Sequence, residues 1–177
     1  RRTRDTSPSA PEPSMPPAPS HIQVANPERE ADREGPITSV TFNPDFSFDI
    51  TQIQGELKDL FAAHSLRVIQ RLRRISQDAR LKDLASFVRE KSNINLQLTG
   101  SLSRLGEATD TLVKLHYAII TRAPPALIIE VTLLEEILHY YYSGQDKLIH
   151  DIIDEYIVNE IYEPFMVALA DAKTKGI

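Results

Sequence analysis

From Ile50 onward the apolar residues recur at steps of three and four: Ile50, Ile53, Leu57, Leu60, His64, Val68, Leu72 and Ile75. This spacing lines one stripe of an amphipathic helix, and Asp49 or Ser47 can cap its start. Ser76 or Asp78 can cap a shorter second helix whose apolar face is Leu81, Leu84, Ala85 and Val88. After a break at Ser92-Asn93, the residues Leu98, Leu102, Leu105, Thr109, Leu112, His116 and Ile119 alternate four- and three-residue steps. That pattern predicts a third helix with a heptad seam, weakened at Gly100 and Gly106.

Ala123-Pro124-Pro125 ends that segment, and proline suits the first turn of the next helix. The fourth helix, about Pro125 to Tyr142, is apolar almost all round, which predicts a central position. Ser143-Gly144 closes it. A fifth helix starts near Asp146 with Leu148, Ile149, Ile152, Ile153, Tyr156, Ile157 and Ile161 inward, and Pro164 should kink it or divide it from a last segment, Phe165–Ala172. The expectation is an all-α bundle of four to five helices over residues 49–177. Residues 37–48 read as an extended lead-in; Ile37–Phe42 alternates like a strand, but an all-helical chain offers it nothing to pair with.

Residues 1–36 hold eight of the twelve prolines and no aromatic residue. Pro8, Pro11, Pro13, Pro16, Pro17 and Pro19 favour an extended, polyproline-like arm. Both Pro13-Ser14-Met15-Pro16 and Pro16-Pro17-Ala18-Pro19 fit the Pro-x-x-Pro pattern that docks into aromatic grooves, although this density of proline makes the pattern almost unavoidable. A spacer is the plainer reading. Arg1 stands where an initiator Met would, the expectation being a processed product or a fragment of a precursor. No secretory leader is recognisable, and no apolar run reaches the length of a spanning helix.

Net charge is −5 and cysteine is absent, which disfavours a nucleic-acid or anionic-membrane binder and removes disulfides, thiolate catalysis and Cys-ligated zinc. One segment runs against that charge. Arg67–Lys82 carries Arg67, Arg71, Arg73, Arg74, Arg80 and Lys82 against Asp78 alone, and Arg67, Arg71 and Arg74 share a helix face. They are candidate phosphate-binding residues. The stretch Glu130–Glu163 has nine acids and only Lys147, so pairing of the two segments inside the fold or between subunits is the favoured alternative.

Glu136 and His139 form a Glu-x-x-His pair, the spacing that ligates metal in carboxylate-bridged helical bundles, with Glu135, His150, Asp154 and Glu107 as conceivable further ligands. Such a site needs a second Glu-x-x-His, which the chain lacks, and a solvated helix edge is favoured. His64 and His116 fall on apolar stripes without a neighbouring catalytic carboxylate, so seam histidines are the simpler reading. Tyr140-Tyr141-Tyr142 spans most of a helix circumference, predicting at least one ring exposed or at an interface, with core and helix-end packing as the plainer alternative. No Gly-rich phosphate loop, nucleophile elbow or zinc spacing occurs.

Together these features predict a non-enzymatic structural or interaction subunit without a cofactor, binding other protein subunits or itself. It would pack helices on partners while the arm tethers, as a viral minor structural protein or an accessory subunit of an organellar complex would. A helical module for nucleic acid or anionic lipid is the alternative, and a carboxylate/His metal-binding bundle the third.

Overall fold

A computed structural model describes residues 31–176. Residues 1–30 of the Pro-rich arm, including Pro13, Pro16, Pro17 and Pro19, lie outside the described residues, whereas Arg33–Gly35 of the expected arm run along β2, with Gly100 N–H donating to Arg33 O at 2.8 Å. The fold is α/β, not an all-α bundle. Strands β1 (Thr38–Thr41), β2 (Asn93–Thr99), β3 (Gly106–Ala108) and β4 (Val113–His116) form one mixed sheet in the order β1-β2-β4-β3. β1 runs antiparallel to β2, β2 parallel to β4, and β3 antiparallel to β4. The helices are α1 (Glu56–Ile75), α2 (Leu84–Glu90), the single turn α3 (Ala118–Thr121), α4 (Ala126–Tyr141), α5 (Asp146–Ile153) and α6 (Asn159–Thr174).

The expected third helix is therefore replaced by β2, β3 and β4. Ile94, Leu96 and Leu98 are buried and alternate with Asn93, Asn95 and Gln97, a period of two that suits a strand with one face on the core. Val113 and Leu115 repeat the pattern in β4. Only Leu98 of the supposed seam starts in a strand facing the core; Leu102 and Leu105 fall in the connection to β3. The lead-in is corrected by the same finding. β1 pairs with β2 from Thr38↔Leu96 to Thr41↔Asn93, and the chain before it stays on that edge through Gly35 N–H to the Leu98 carbonyl, 2.8 Å. Val40 and Phe42 are fully buried. Phe42 stacks on Phe48 with ring centroids 4.6 Å apart, and Phe48 meets Phe61 of α1 edge-on at 5.4 Å. The segment 37–48 thus completes the core.

The two expected caps serve 3-10 turns ahead of the helices rather than the helices themselves, so α1 starts at Glu56 and not near Ile50. Asp49 accepts from Thr51 N–H at 3.1 Å over a short 3-10 turn, Ile50–Gln52, and Gly55 at φ 68° then lets the chain turn into α1. Asp78 caps a second 3-10 turn, Ala79–Leu81, before α2. α4 packs against α1, α2, α5 and the β3–β4 end of the sheet. Pro164 does not divide the last helix. α5 passes through a π turn, Asp154–Val158, directly into α6, which runs past Pro164 to Thr174.

Because β4 follows a strand's alternation, Leu115→Ala should cost about 2–5 kcal/mol, whereas Lys114→Ala, one residue away on the other face, should change stability by less than about 1 kcal/mol. Urea denaturation of the two variants checks this. A helical segment here would not separate the two positions so sharply.

Candidate functional site

Three features of the α4–α6 region carry chemistry or surface. The first is a charge network at the root of α6. Arg71 on α1 donates from Nε and Nη2 to Glu130 Oε2 at 3.3 and 3.2 Å, and also pairs with Glu160 of α6. Arg67 stands 3.9 Å from Glu130, and Arg74 pairs with Glu160. The Glu130 and Arg71 side chains are only 7% and 14% exposed, so each needs the other in place of water. Beyond them Arg80 binds both Asp78 and Glu155, and Tyr156 Oη donates to Asp78 at 3.0 Å. Asp78 is held well below the usual carboxylate range by Arg80, which donates to it. The basic face expected from Arg67, Arg71 and Arg74 is thus turned onto acids of α4 and α6.

The second feature is α6 itself. None of its described side chains is buried. Ile161, Tyr162, Phe165, Met166, Val167 and Leu169 are between 41% and 68% exposed. Val158, Tyr162, Phe165, Leu169 and Ala172 follow steps of four, three, four and three, a heptad seam that faces nothing in the described chain. Sequence reading placed a helical segment at Phe165–Ala172 but missed that the helix carries its apolar side outward; the clue was an apolar stripe continuing beyond Ile157, the last buried residue.

The third is a cluster of imidazoles and carboxylates between α4 and α5. Glu135 Oε1 lies 3.5 Å from His139 Nε2 and 3.0 Å from His150 Nε2, and Asp146 Oδ1 is 3.3 Å from His139 Nδ1. The Ser143-Gly144 reversal, with Gly144 at φ 78°, folds α5 back so that His150 returns to His139. Glu135 is held below its usual value by the hydrogen bond from His139, and the same bond raises His139.

The solvated helix edge favoured for Glu136 and His139 does not hold for Glu136, and the fold does not bring that pair together as ligands. Glu136 is buried under β3, where a Cβ added to Gly106 would come within 2.7 Å of its Cγ. Its Oε2 has no hydrogen-bond partner. Burial pushes the Glu136 carboxyl up to about 7, against the pull of His139 and Arg104 and with the repulsion of Glu135 and Glu107. Of the other conceivable ligands, Glu135 and His150 join His139, Asp154 points to solvent beyond α5, and Asp146 was overlooked.

The tyrosine run is corrected as well: no ring of the three is left exposed. Tyr140 donates to Asn93 O at 2.9 Å and Tyr141 to Lys91 O at 2.8 Å, both tying α4 to the entry of β2. α4 ends at Tyr141, so Tyr142 leaves the helical path and meets Phe87 of α2 edge-on, 5.2 Å between centroids. His116 Nδ1 accepts from Ala118 N–H at 2.9 Å, and His64 is half-buried on α1. Among the described residues no helix is long and apolar enough to cross a membrane. Compared with known proteins, the chain matches no family model, no curated protein and no solved structure.

Two predictions follow from the buried charges. Arg71→Ala strands Glu130 without its main partner and should destabilise the protein by about 3–5 kcal/mol in urea, with part of the loss recovered when Glu130→Gln is added. Glu136, whose native value of about 7 lies above its ordinary 4.5, contributes stability that is present below about pH 4.5 and lost as pH rises through about 7. Glu136→Gln never ionises, so its stability relative to wild type should rise between about pH 5 and pH 8 by about 2 kcal/mol, measured by urea denaturation at both pH values.

Proposed function

We propose that this chain is a non-enzymatic interaction subunit that docks through α6, and that the docking partner is a second copy of the same helix in antiparallel orientation. The observation that carries the reading is a four-turn helix that buries none of its described side chains while presenting Phe165, Leu169, Tyr162 and Ile161 to solvent. Monomeric proteins rarely leave so continuous an apolar stripe uncovered. The root of the helix is fixed to α1 through Glu160, so the seam is held in position before a partner arrives, which lowers the ordering cost of docking.

Charge favours the second copy. Asp154, Glu155, Glu160 and Glu163 precede Pro164, of which Glu155 and Glu160 are already paired with Arg80 and with Arg71 and Arg74, whereas Lys173 and Lys175 with Asp171 alone follow Phe165. An antiparallel pair lays the acidic half of one helix along the basic end of the other, with Phe165 and Met166 near the two-fold axis. Parallel pairing would set the acids against acids. A two-helix seam of this length falls at the small end of specific interfaces, so a dissociation constant in the micromolar range is expected. The phosphate-binding alternative is weakened because Arg71 is buried against Glu130 and Glu160 and Arg74 pairs with Glu160, leaving Arg67, 3.9 Å from Glu130, as the most exposed member of the face.

Light scattering or sedimentation across a concentration series should give a reversible monomer–dimer equilibrium, shifted to monomer by Phe165→Glu with Leu169→Glu while far-ultraviolet circular dichroism keeps the native fold. A wild type that stays monomeric to high concentration overturns the second-copy assignment. Crosslinking of α6 to a chain of different sequence in the native source would do the same, and would give the seam to that partner.

A further inference from the structure

The α4–α5 cluster is built like a metal site. We infer that Glu135, His139 and His150 bind a divalent ion of the zinc type, with Asp146 orienting His139 from behind. One ligating atom from each of the three lies within 4.8 Å of the other two. In a tetrahedral site with bonds of about 2.0–2.1 Å, ligand atoms stand about 3.4 Å apart. The observed separations of Glu135 Oε1 from the two Nε2 atoms, 3.5 and 3.0 Å, bracket that value. An ion fits where the carboxylate now hydrogen-bonds both rings, with little movement of the backbone.

The donor set selects the ion. Two imidazoles and one carboxylate suit zinc and its first-row neighbours, whereas magnesium and calcium call for oxygen donors. The carboxylate behind the ligand is present too. A ligating imidazole ordinarily donates its remaining ring N–H to a carboxylate, which fixes the tautomer. Asp146 Oδ1, 3.3 Å from His139 Nδ1, supplies that partner. The ligands are also pre-positioned. Glu135 and His139 are one turn apart on α4, flanked by the buried Leu134 and Leu138, and His150 on α5 adjoins the buried Ile149. His139 is largely covered and His150 is 59% exposed, so a fourth position opens to water on the solvent side.

Such an ion crosslinks α4 to α5, and α5 leads without interruption into α6. It would stiffen the stem of the exposed helix. The site stands on its own ligand geometry and does not depend on what α6 binds.

Isothermal titration of the full chain with zinc chloride at neutral pH should give one site per chain. His150→Ala and His139→Ala should each remove that site with the fold intact by circular dichroism, and Glu135→Gln should weaken it strongly. Asp146→Asn should weaken it about 10–100-fold, while His21→Ala in the arm should leave it unchanged. Cobalt(II) should bind with the intense visible bands of a tetrahedral site. If wild type takes up no stoichiometric zinc, or if His139→Ala and His150→Ala bind it as wild type does, the inference is wrong, and the cluster is a carboxylate–imidazole ion pair.

Discussion

Helix α4 turns only a narrow strip to water, Ile128 and the edge from Thr132 through Glu135 to His139, and the rest of the structure is arranged around that constraint. α1 covers one side, the β3–β4 end of the sheet another, and α2 and α5 close the remainder. A helix so enclosed can keep charged residues only if each is accommodated individually. Glu130 is accommodated by Arg71, which links α4 to α1 and, through Glu160, to α6. Glu136 has no cation in contact and is accommodated by a carboxyl pushed up to about 7, which keeps it mostly neutral only below that pH. Glu135 and His139, at the edge where α5 arrives, are met by His150 and Asp146 at 3.0 and 3.3 Å.

The same constraint explains why the surface divides as it does. Arg71 of α1 is buried in holding α4 and the root of α6, while Arg67, Arg74 and Arg80 pair with acids of α4, α6 and the π turn at the surface, so the strongest positive segment in the sequence is largely met by acids of the same chain. What remains outward-facing and unusual is apolar: the α6 seam. The Arg71–Glu130–Glu160 network places that seam, and the α4–α5 cluster sits at the base of the same stem.

Helices α1, α2, α4 and α5 were legible because α1 repeats its apolar period over several turns, α4 is apolar almost all round, and breaks at Asp78, Pro125 and Ser143-Gly144 separate the segments. The sheet was misread because its strands are short. Three to seven residues give one to three repeats of a two-residue period, and in residues 93–119 the chance leucine spacing from Leu98 to Leu112 competed with it. The alternation of Ile94, Leu96 and Leu98 with Asn95 and Gln97 was present all along, and with Gly100 and Gly106 it argued against a long helix. Once β2 exists, Ile37–Phe42 has a partner and becomes a strand. The site was half legible. Spacing along one helix picks out Glu136 and His139, but which acid faces the histidine depends on Gly106 admitting Glu136 beneath β3, and His150 and Asp146 arrive only through the tertiary reversal at Gly144.

Hydrogen exchange measured over a range of protein concentration tests the central claim most directly, because it reports on the enclosed helix and the open one together. The account predicts that amides of α4 exchange only through global unfolding at every concentration, whereas those of α6 exchange quickly in dilute solution and slow as the concentration rises. Equal, concentration-independent protection of α4 and α6 would contradict it.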